Sequence, residues 1–233
     1  MRKLKTTMKD VRFKDLGSIE YKNAWNYQEA RFDEVMQGKL SKNPHPSYLL
    51  FCEHPHVFTL GKSGDEHNFL IHEDFLKKIN ATYYQTNRGG DITYHGPGQL
   101  VGYPILDLEV FNVALKDYIF KLEEAIIKTI ADYGIVGHHY KGATGVWLDV
   151  DIPEKTRKIC AIGVKASRFV TMHGFALNVN TNLNYFTYIN PCGFTDKGVT
   201  SMEKELGRTV DFDEVKEKAK KYLIEVFGMK LVD

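Results

Sequence analysis

The runs Val146-Trp147-Leu148-Asp149-Val150, Lys158-Ile159-Cys160-Ala161-Ile162-Gly163-Val164 and Phe175-Ala176-Leu177-Asn178-Val179 follow one another within residues 146–179. Each is rich in β-branched and aromatic side chains, the composition of a strand. The gaps between them leave no room for a crossover helix, so the strands are expected to turn back as antiparallel hairpins rather than build a doubly wound parallel sheet. Working outward, residues 48–52, 57–60 and 100–106 read as further strands. Helical spacing appears at Leu115, Ile119, Leu122, Ile126, Ile130 and Tyr133, with Gly134 as a stop. Asp211 followed by Glu214 resembles a capping box, and Val215, Ala219, Tyr222 and Val226 continue on one stripe. Tyr21, Trp25, Phe32 and Val35 predict an earlier helix. The expected class is α+β, a mostly antiparallel sheet flanked by helices.

No repeat, low-complexity tract or Ser/Gly/Pro linker divides the chain, so residues 1–233 are expected to form a single domain. A hydrophobic share of 43% with 26% charged residues is that of a folded protein with a real core. Thirty-one Lys and Arg against thirty Asp and Glu leave a net charge of +1, so no global field favours nucleic acid or an anionic membrane. Three cysteines are too few and odd in number for a disulfide framework, which points to a reducing compartment, by default the cytoplasm. No apolar run approaches ~18 residues, so neither export nor a membrane span is expected.

Two apparent nucleotide motifs fail. Gly61-Lys62-Ser63 lacks the Gly of a P-loop, position 56 being His, and Gly96-Pro97-Gly98 has Val101 where a dinucleotide fingerprint needs its third Gly. His54-Pro55-His56 and His138-His139 have no Cys or carboxylate cluster at ligand spacing, so they read as surface or structural histidines and no metal is expected. The densest polar stretch is Arg88-Gly89-Gly90-Asp91-Ile92-Thr93-Tyr94-His95-Gly96-Pro97-Gly98-Gln99. Four glycines permit close backbone approach to a ligand, and Arg88, Thr93, His95 and Gln99 offer four different hydrogen-bonding groups. It reads as a binding loop rather than a plain connection.

In Asn190-Pro191-Cys192-Gly193, a cysteine between Pro and Gly belongs to a turn, whereas Cys52 and Cys160 lie in apolar runs and read as buried. Cys192 is therefore the candidate nucleophile. With an unperturbed thiol pKa of about 8.5 it needs a base or cation beside it. His95, His173, Lys158 and Lys165 are all available, and spacing alone does not choose among them. In an unbulged strand Lys158 shares a face with Cys160 and Ile162 while Lys165 takes the other. A solvated surface ammonium is the simplest reading of either lysine.

Four motifs in one order carry a resemblance: the loop from Arg88 to Gln99 running on to Pro104, Lys158-Ile159-Cys160-Ala161-Ile162-Gly163, His173-Gly174-Phe175-Ala176-Leu177-Asn178-Val179-Asn180, and Asn190-Pro191-Cys192-Gly193. Together they resemble the octanoyltransferases of lipoate biosynthesis, the lipoate–protein ligase B family. The resemblance implies a catalytic fold like that of biotin and lipoate protein ligases. It implies transfer of octanoyl from acyl carrier protein to a lysine of lipoyl domains, in 2-oxoacid dehydrogenase E2 subunits or the glycine cleavage H protein, without cofactor or ATP. It assigns Cys192 as nucleophile and Lys158 as its partner, at a spacing of 192 − 158 = 34 positions that is similar to the family's. It maps substrate binding onto Arg88, Gly89, Gly90, Asp91, Ile92, Thr93, Tyr94 and His95, onto Ala161, Ile162 and Gly163, and onto Gly174, Phe175 and Ala176. Phe175, Leu177, Ile162 and Tyr94 are expected either to line an acyl tunnel or to pack in the core.

Overall fold

The computed structural model describes residues 8–190 and 197–233. The chain runs through β1 (Lys9–Ser18), α1 (Tyr21–Ser41), β2 (Ser47–Glu53), β3 (Val57–Leu60), α2 (Glu73–Lys78), β4 (Thr82–Gln85), β5 (Thr93–His95) and β6 (Gln99–Ile105). It continues through α3 (Leu108–Phe111), α4 (Leu115–Ala131), β7 (His138–Tyr140), β8 (Ala143–Leu148), β9 (Arg157–Ser167), β10 (Val170–Asn178), β11 (Gly198–Val199), α5 (Met202–Leu206), α6 (Phe212–Phe227) and β12 (Met229–Val232). The described strands form a large sheet in the order β12-β1-β2-β6-β10-β9-β8-β7, with β11 beside β9, and a small sheet β4-β3-β5. Along the path from β2 to β7 successive strands are antiparallel, whereas β11 runs parallel to β9 and β1 runs parallel to both β2 and β12.

Period-two alternation explains the layers. In β2, Leu49 and Phe51 enter the core shared with α4 and α6, while Tyr48, Leu50 and Cys52 pack towards α1. With both faces covered, β2 is an apolar run of the kind a buried strand needs. Helix α4 buries Leu122, Ile126 and Ile130 as its periodicity predicts. Helix α6 starts where expected, the Asp211 carboxylate accepting from the amides of Asp213 and Glu214 at 3.0 Å each. Its buried face, however, is Val215, Ala219, Leu223 and Phe227; Tyr222 and Val226 lie one position off and are only partly buried. Among the described residues no helix is long and apolar enough to cross a membrane.

The hairpins of residues 146–179 are present, and longer than their apolar runs. β9 and β10 pair from Leu177–Cys160 out to Val170–Ser167 and are joined at Arg168 and Phe169, with φ of +48° and +64°. Two consecutive left-handed residues suit the right-handed twist of a hairpin, a role usually given to Asn-Gly. β8 and β9 carry a register slip: Val146 pairs with Cys160 but Trp147 pairs with Lys158. Ile159 is thus a bulge, and both Ile159 and Cys160 are buried in the core. The slip corrects the expected alternation. Lys158 goes with Trp147, its Nζ 4.5 Å from that ring's centroid, and lines a cavity together with Ile162, while Cys160 turns into the core.

Candidate active site

A cavity of about 500 Å³ opens where the loop before β5 crosses β9 and β10. That volume lies in the range of small-molecule sites, roughly 300–1,000 Å³. The crossing is built from backbone. The amide of Gly89 donates to Val164 O at 2.9 Å, and Lys62 N donates to Arg88 O at 2.9 Å, so the loop is held from both sides. A Cβ on Gly163 would lie 2.8 Å from Gly89 O, closer than Cβ contacts allow, which is why the strand carries glycine there. Arg88 is 7% exposed and donates to the Thr59 hydroxyl and carbonyl and to Gly89 O, so its guanidinium also ties the loop to β3. The Asp91 carboxylate accepts from Ile92 N, Asp65 N and Asn68 Nδ2, fixing the loop's far end.

Of the binding residues taken from sequence, Arg88, Gly89, Gly90, Asp91, Ile92, Thr93 and His95 line this cavity from the loop and β5. Ala161, Ile162 and Gly163 line it from β9, and Gly174, Phe175 and Ala176 from β10. Tyr94 does not. Alternation turns its ring into the core of the small sheet, where it is fully buried, stacks on Tyr185 at 4.8 Å and shares a hydrogen bond of 2.7 Å with His56 Nδ1. Leu177 likewise belongs to the core.

Two buried histidines, His95 and His173, line the cavity, a third, His54, packs beside His95, and their partners fix their tautomers. His95 Nδ1 stands 2.7 Å from Gln99 Oε1. The Gln99 Nε2 donates to Tyr94 O and Asn178 Oδ1, so its oxygen must be the atom facing His95. Nδ1 therefore carries the proton, and Nε2 is a bare lone pair on a ring that lines the cavity. His54 donates Nδ1–H to Ile19 O at 2.8 Å, and its Nε2 accepts from the Tyr103 hydroxyl at 2.7 Å. His173 donates Nε2–H to Asn87 Oδ1 at 2.8 Å, leaving Nδ1 buried with no hydrogen-bond partner among the described residues. Burial lowers His54 to about 4. Burial, aided by the charge of Arg88, lowers His95 and His173 each to about 3. All three are neutral at physiological pH.

Lys158 lines the cavity beside Ala143 and Thr144 of β8. Its backbone pairs with Val199 of β11, and its carbonyl accepts from Thr200 N at 2.9 Å. Lys165 instead lies over the Phe32 ring, 5.3 Å from its centroid, and does not line the cavity. Cys192 lies outside the described residues. Cys52 and Cys160 are fully buried, and burial raises both thiols above their ordinary pKa. Tyr21, Tyr103 and Ile119 also line the cavity, a role that sequence does not announce. Each sits on an ordinary helix or strand period, where it is indistinguishable from core.

Residues 20–224 match the family model described as lipoyl protein ligase A/B catalytic domain. The chain is 53% identical to an octanoyltransferase of Parabacteroides distasonis, over 95% of this chain and all of that one. It is 56% identical to one of Bacteroides fragilis over 90% of this chain and 95% of the other, and 53% identical to one of Flavobacterium johnsoniae over 96% and 99%. Its fold resembles that of a putative lipoate protein ligase from T. acidophilum, at a TM-score of 0.66 and 15% identity over 96% of this chain and 87% of that one. A lipoate-protein ligase A bound with ATP aligns at 0.65, again at 15% identity, over 97% and 90%.

Proposed function

The chain belongs to the lipoyl protein ligase A/B catalytic domain family and sits among its octanoyltransferases, and on that footing we propose that it moves an octanoyl group from acyl carrier protein to a lysine of lipoyl domains. The acceptors would be the lipoyl domains of 2-oxoacid dehydrogenase E2 subunits and the glycine cleavage H protein. The observation that carries this reading is the convergence of the Arg88–His95 loop, the β9 and β10 glycines and Lys158 on one cavity, with apolar Ile162 and Phe175 in its wall.

In this mechanism the Cys192 thiolate attacks the octanoyl carbonyl, the carrier thiol leaves, and an acyl-enzyme splits the transfer into two easier steps. The acceptor lysine's amine then attacks the new thioester, the Cys192 sulfur leaves, and an amide forms. Thiol-for-thiol exchange is nearly level and amide formation downhill, so the donor bond supplies the energy and no nucleotide is needed. Lys158 favours the thiolate by its charge, and the pairing of its strand with Val199, seven positions beyond Cys192, supports that assignment. His95 Nε2, being unprotonated, cannot donate to an acyl oxygen. It accepts instead, and the incoming amine is the reactant with an N–H to offer.

The test is an intact mass after mixing the protein with octanoyl-carrier protein, in wild type, Cys192→Ser and Lys158→Ala, followed by a lipoyl domain. A hydroxylamine-labile octanoyl adduct on wild type alone, which passes to the lipoyl domain, is the expected result. If no adduct forms and acylation requires ATP with free octanoate, the reading is wrong.

A further inference from the structure

Glu123 is a carboxylate on the inner face of α4, 8% exposed, one turn from the cavity residue Ile119. A buried carboxylate is costly unless its oxygens are satisfied. Here Oε1 accepts from Gly145 N at 2.8 Å and Oε2 from His139 Nδ1 at 2.6 Å. His139 is itself clamped, its Nε2 donating to Glu124 Oε1 at 2.7 Å and its ring stacked on Phe120 at 4.3 Å. Burial works against its charge, but the bonds to Glu124 and Glu123 outweigh burial and raise its pKa. The construction serves a single backbone position. Gly145 has φ +124°, and a Cβ there would lie 2.5 Å from Cys160 O and 3.5 Å from Lys158 Cε. The Lys158 side chain therefore lies along Gly145, and Glu123 grips that residue's amide. Ala143 and Thr144, immediately before it, form the cavity wall.

Resting on the reading that Lys158 is the partner of Cys192, we propose that Glu123 is a positioning residue for Lys158, fixing the Gly145 backbone on which the lysine lies and supplying the buried negative charge of that wall. The two side chains already act on a common atom. Above the dominant effect of burial, Glu123 pushes the Cys160 thiol up while Lys158 pulls it down. The charged or titratable groups on the elements around Lys158 include Glu124 on α4, His138, His139 and Tyr140 on β7, and Arg157 and Cys160 on its own strand, with Glu205 on α5 and Lys197 against Tyr140. Arg157 is neutralised by Glu205 and Asp149.

The experiment measures octanoyl transfer from carrier thioester to a lipoyl domain between about pH 6 and about pH 10, with thermal midpoints, in wild type, Glu123→Gln, Glu123→Asp and Lys158→Ala. Glu123→Gln keeps an acceptor for Gly145 N. It is expected to lower kcat about tenfold or more with the thioester KM within about twofold. The alkaline limb of its kcat profile moves to lower pH, because removing the anion lets the ammonium deprotonate earlier. Glu123→Asp retains the charge and draws it back, so it keeps the wild-type limb and loses kcat. An unmoved limb in Glu123→Gln overturns the proposal. If Glu123→Gln does not fold, Glu123→Asp decides, and wild-type kcat there overturns it. A Lys158→Ala protein of wild-type kcat removes the lysine from the reaction, and with it the reading beneath this inference, whatever the Glu123 variants show.

Discussion

Gln99 holds His95 in one tautomer: its amide oxygen accepts from Nδ1 at 2.7 Å while its amide nitrogen is bound by two acceptors, Tyr94 O and Asn178 Oδ1. The amide has no second orientation that satisfies all three partners. His95 thus presents a lone pair, not a proton, to the cavity, and burial keeps it so by lowering its pKa to about 3.

Nitrogen-15 NMR of the labelled protein is expected to show His95 with one protonated and one bare ring nitrogen, unchanged from about pH 5 to about pH 8. His95→Gln should leave formation of the acyl-enzyme within about threefold while slowing amide formation about a hundredfold or more. Equal slowing of both steps would show that the side chain does not act on the amine.

Stability should fall as the solution is acidified from about pH 6.5, the ordinary histidine value. His54, His95 and His173 bind a proton there when unfolded, but when folded only near 4, 3 and 3. Their folded pKa values are depressed, so the stability is fully present above pH 6.5 and is lost downwards through the window to pH 4 and then 3. The slope reaches about 1.4 kcal/mol per pH unit for each histidine. Urea midpoints measured at several pH values check this, and a midpoint indifferent to pH between 6.5 and 4.5 would contradict it.

Gly163→Ala places a methyl against Gly89 O and the Arg88 side chain. The loop must lift from β9, at a cost of about 1–3 kcal/mol. Acyl-enzyme formation should fall more than stability does, because the displaced loop is a wall of the cavity. A thermal melt beside a single-turnover assay separates the two effects.

Glu205→Gln should loosen the strand beside Lys158. Glu205 accepts from Arg157 through both oxygens and from the Thr200 hydroxyl, and its bond to Arg157 holds its carboxyl below the usual range. Losing the charge is expected to cost about 1–2 kcal/mol. Exchange of the Thr200 amide, which donates to Lys158 O, should accelerate about tenfold. Unchanged exchange would mean that β11 stays in place without the ion pair.

What could be read from sequence was what repeats with a period or stands in a contiguous motif. The hairpin order of β8, β9 and β10, helix α4 and the start of α6 all follow from apolar spacing and a capping residue. The ends of β9 and β10 did not, because Arg168 and Phe169 adopt left-handed backbone without a Gly or Asn to announce it. The bulge at Ile159 was equally silent, since a register slip depends on the partner strand. In the site, thirteen of the fourteen binding residues drawn from motifs line one cavity. Tyr94 departs because contiguous strand residues point to opposite faces. Sequence offers His173 only as one of four groups that could serve Cys192, and it gives Tyr21 and Ile119 no site signal, because each gains its place from neighbours remote in sequence.

The pairing of β1 with β12 has a consequence for synthesis. Lys9 to Arg12 pair with Met229 to Val232, so one side of β1 has no strand to bond until residues 229–232 have been made. At about 5–20 residues per second the ribosome leaves that edge open for roughly 10–40 s. During this interval β1 offers unpaired amides and carbonyls to other nascent chains. The charged residues along it, Lys9, Asp10, Arg12, Lys14 and Asp15, make it a poor template for such partners. The edge is thereby guarded by its own side chains until its last neighbour emerges.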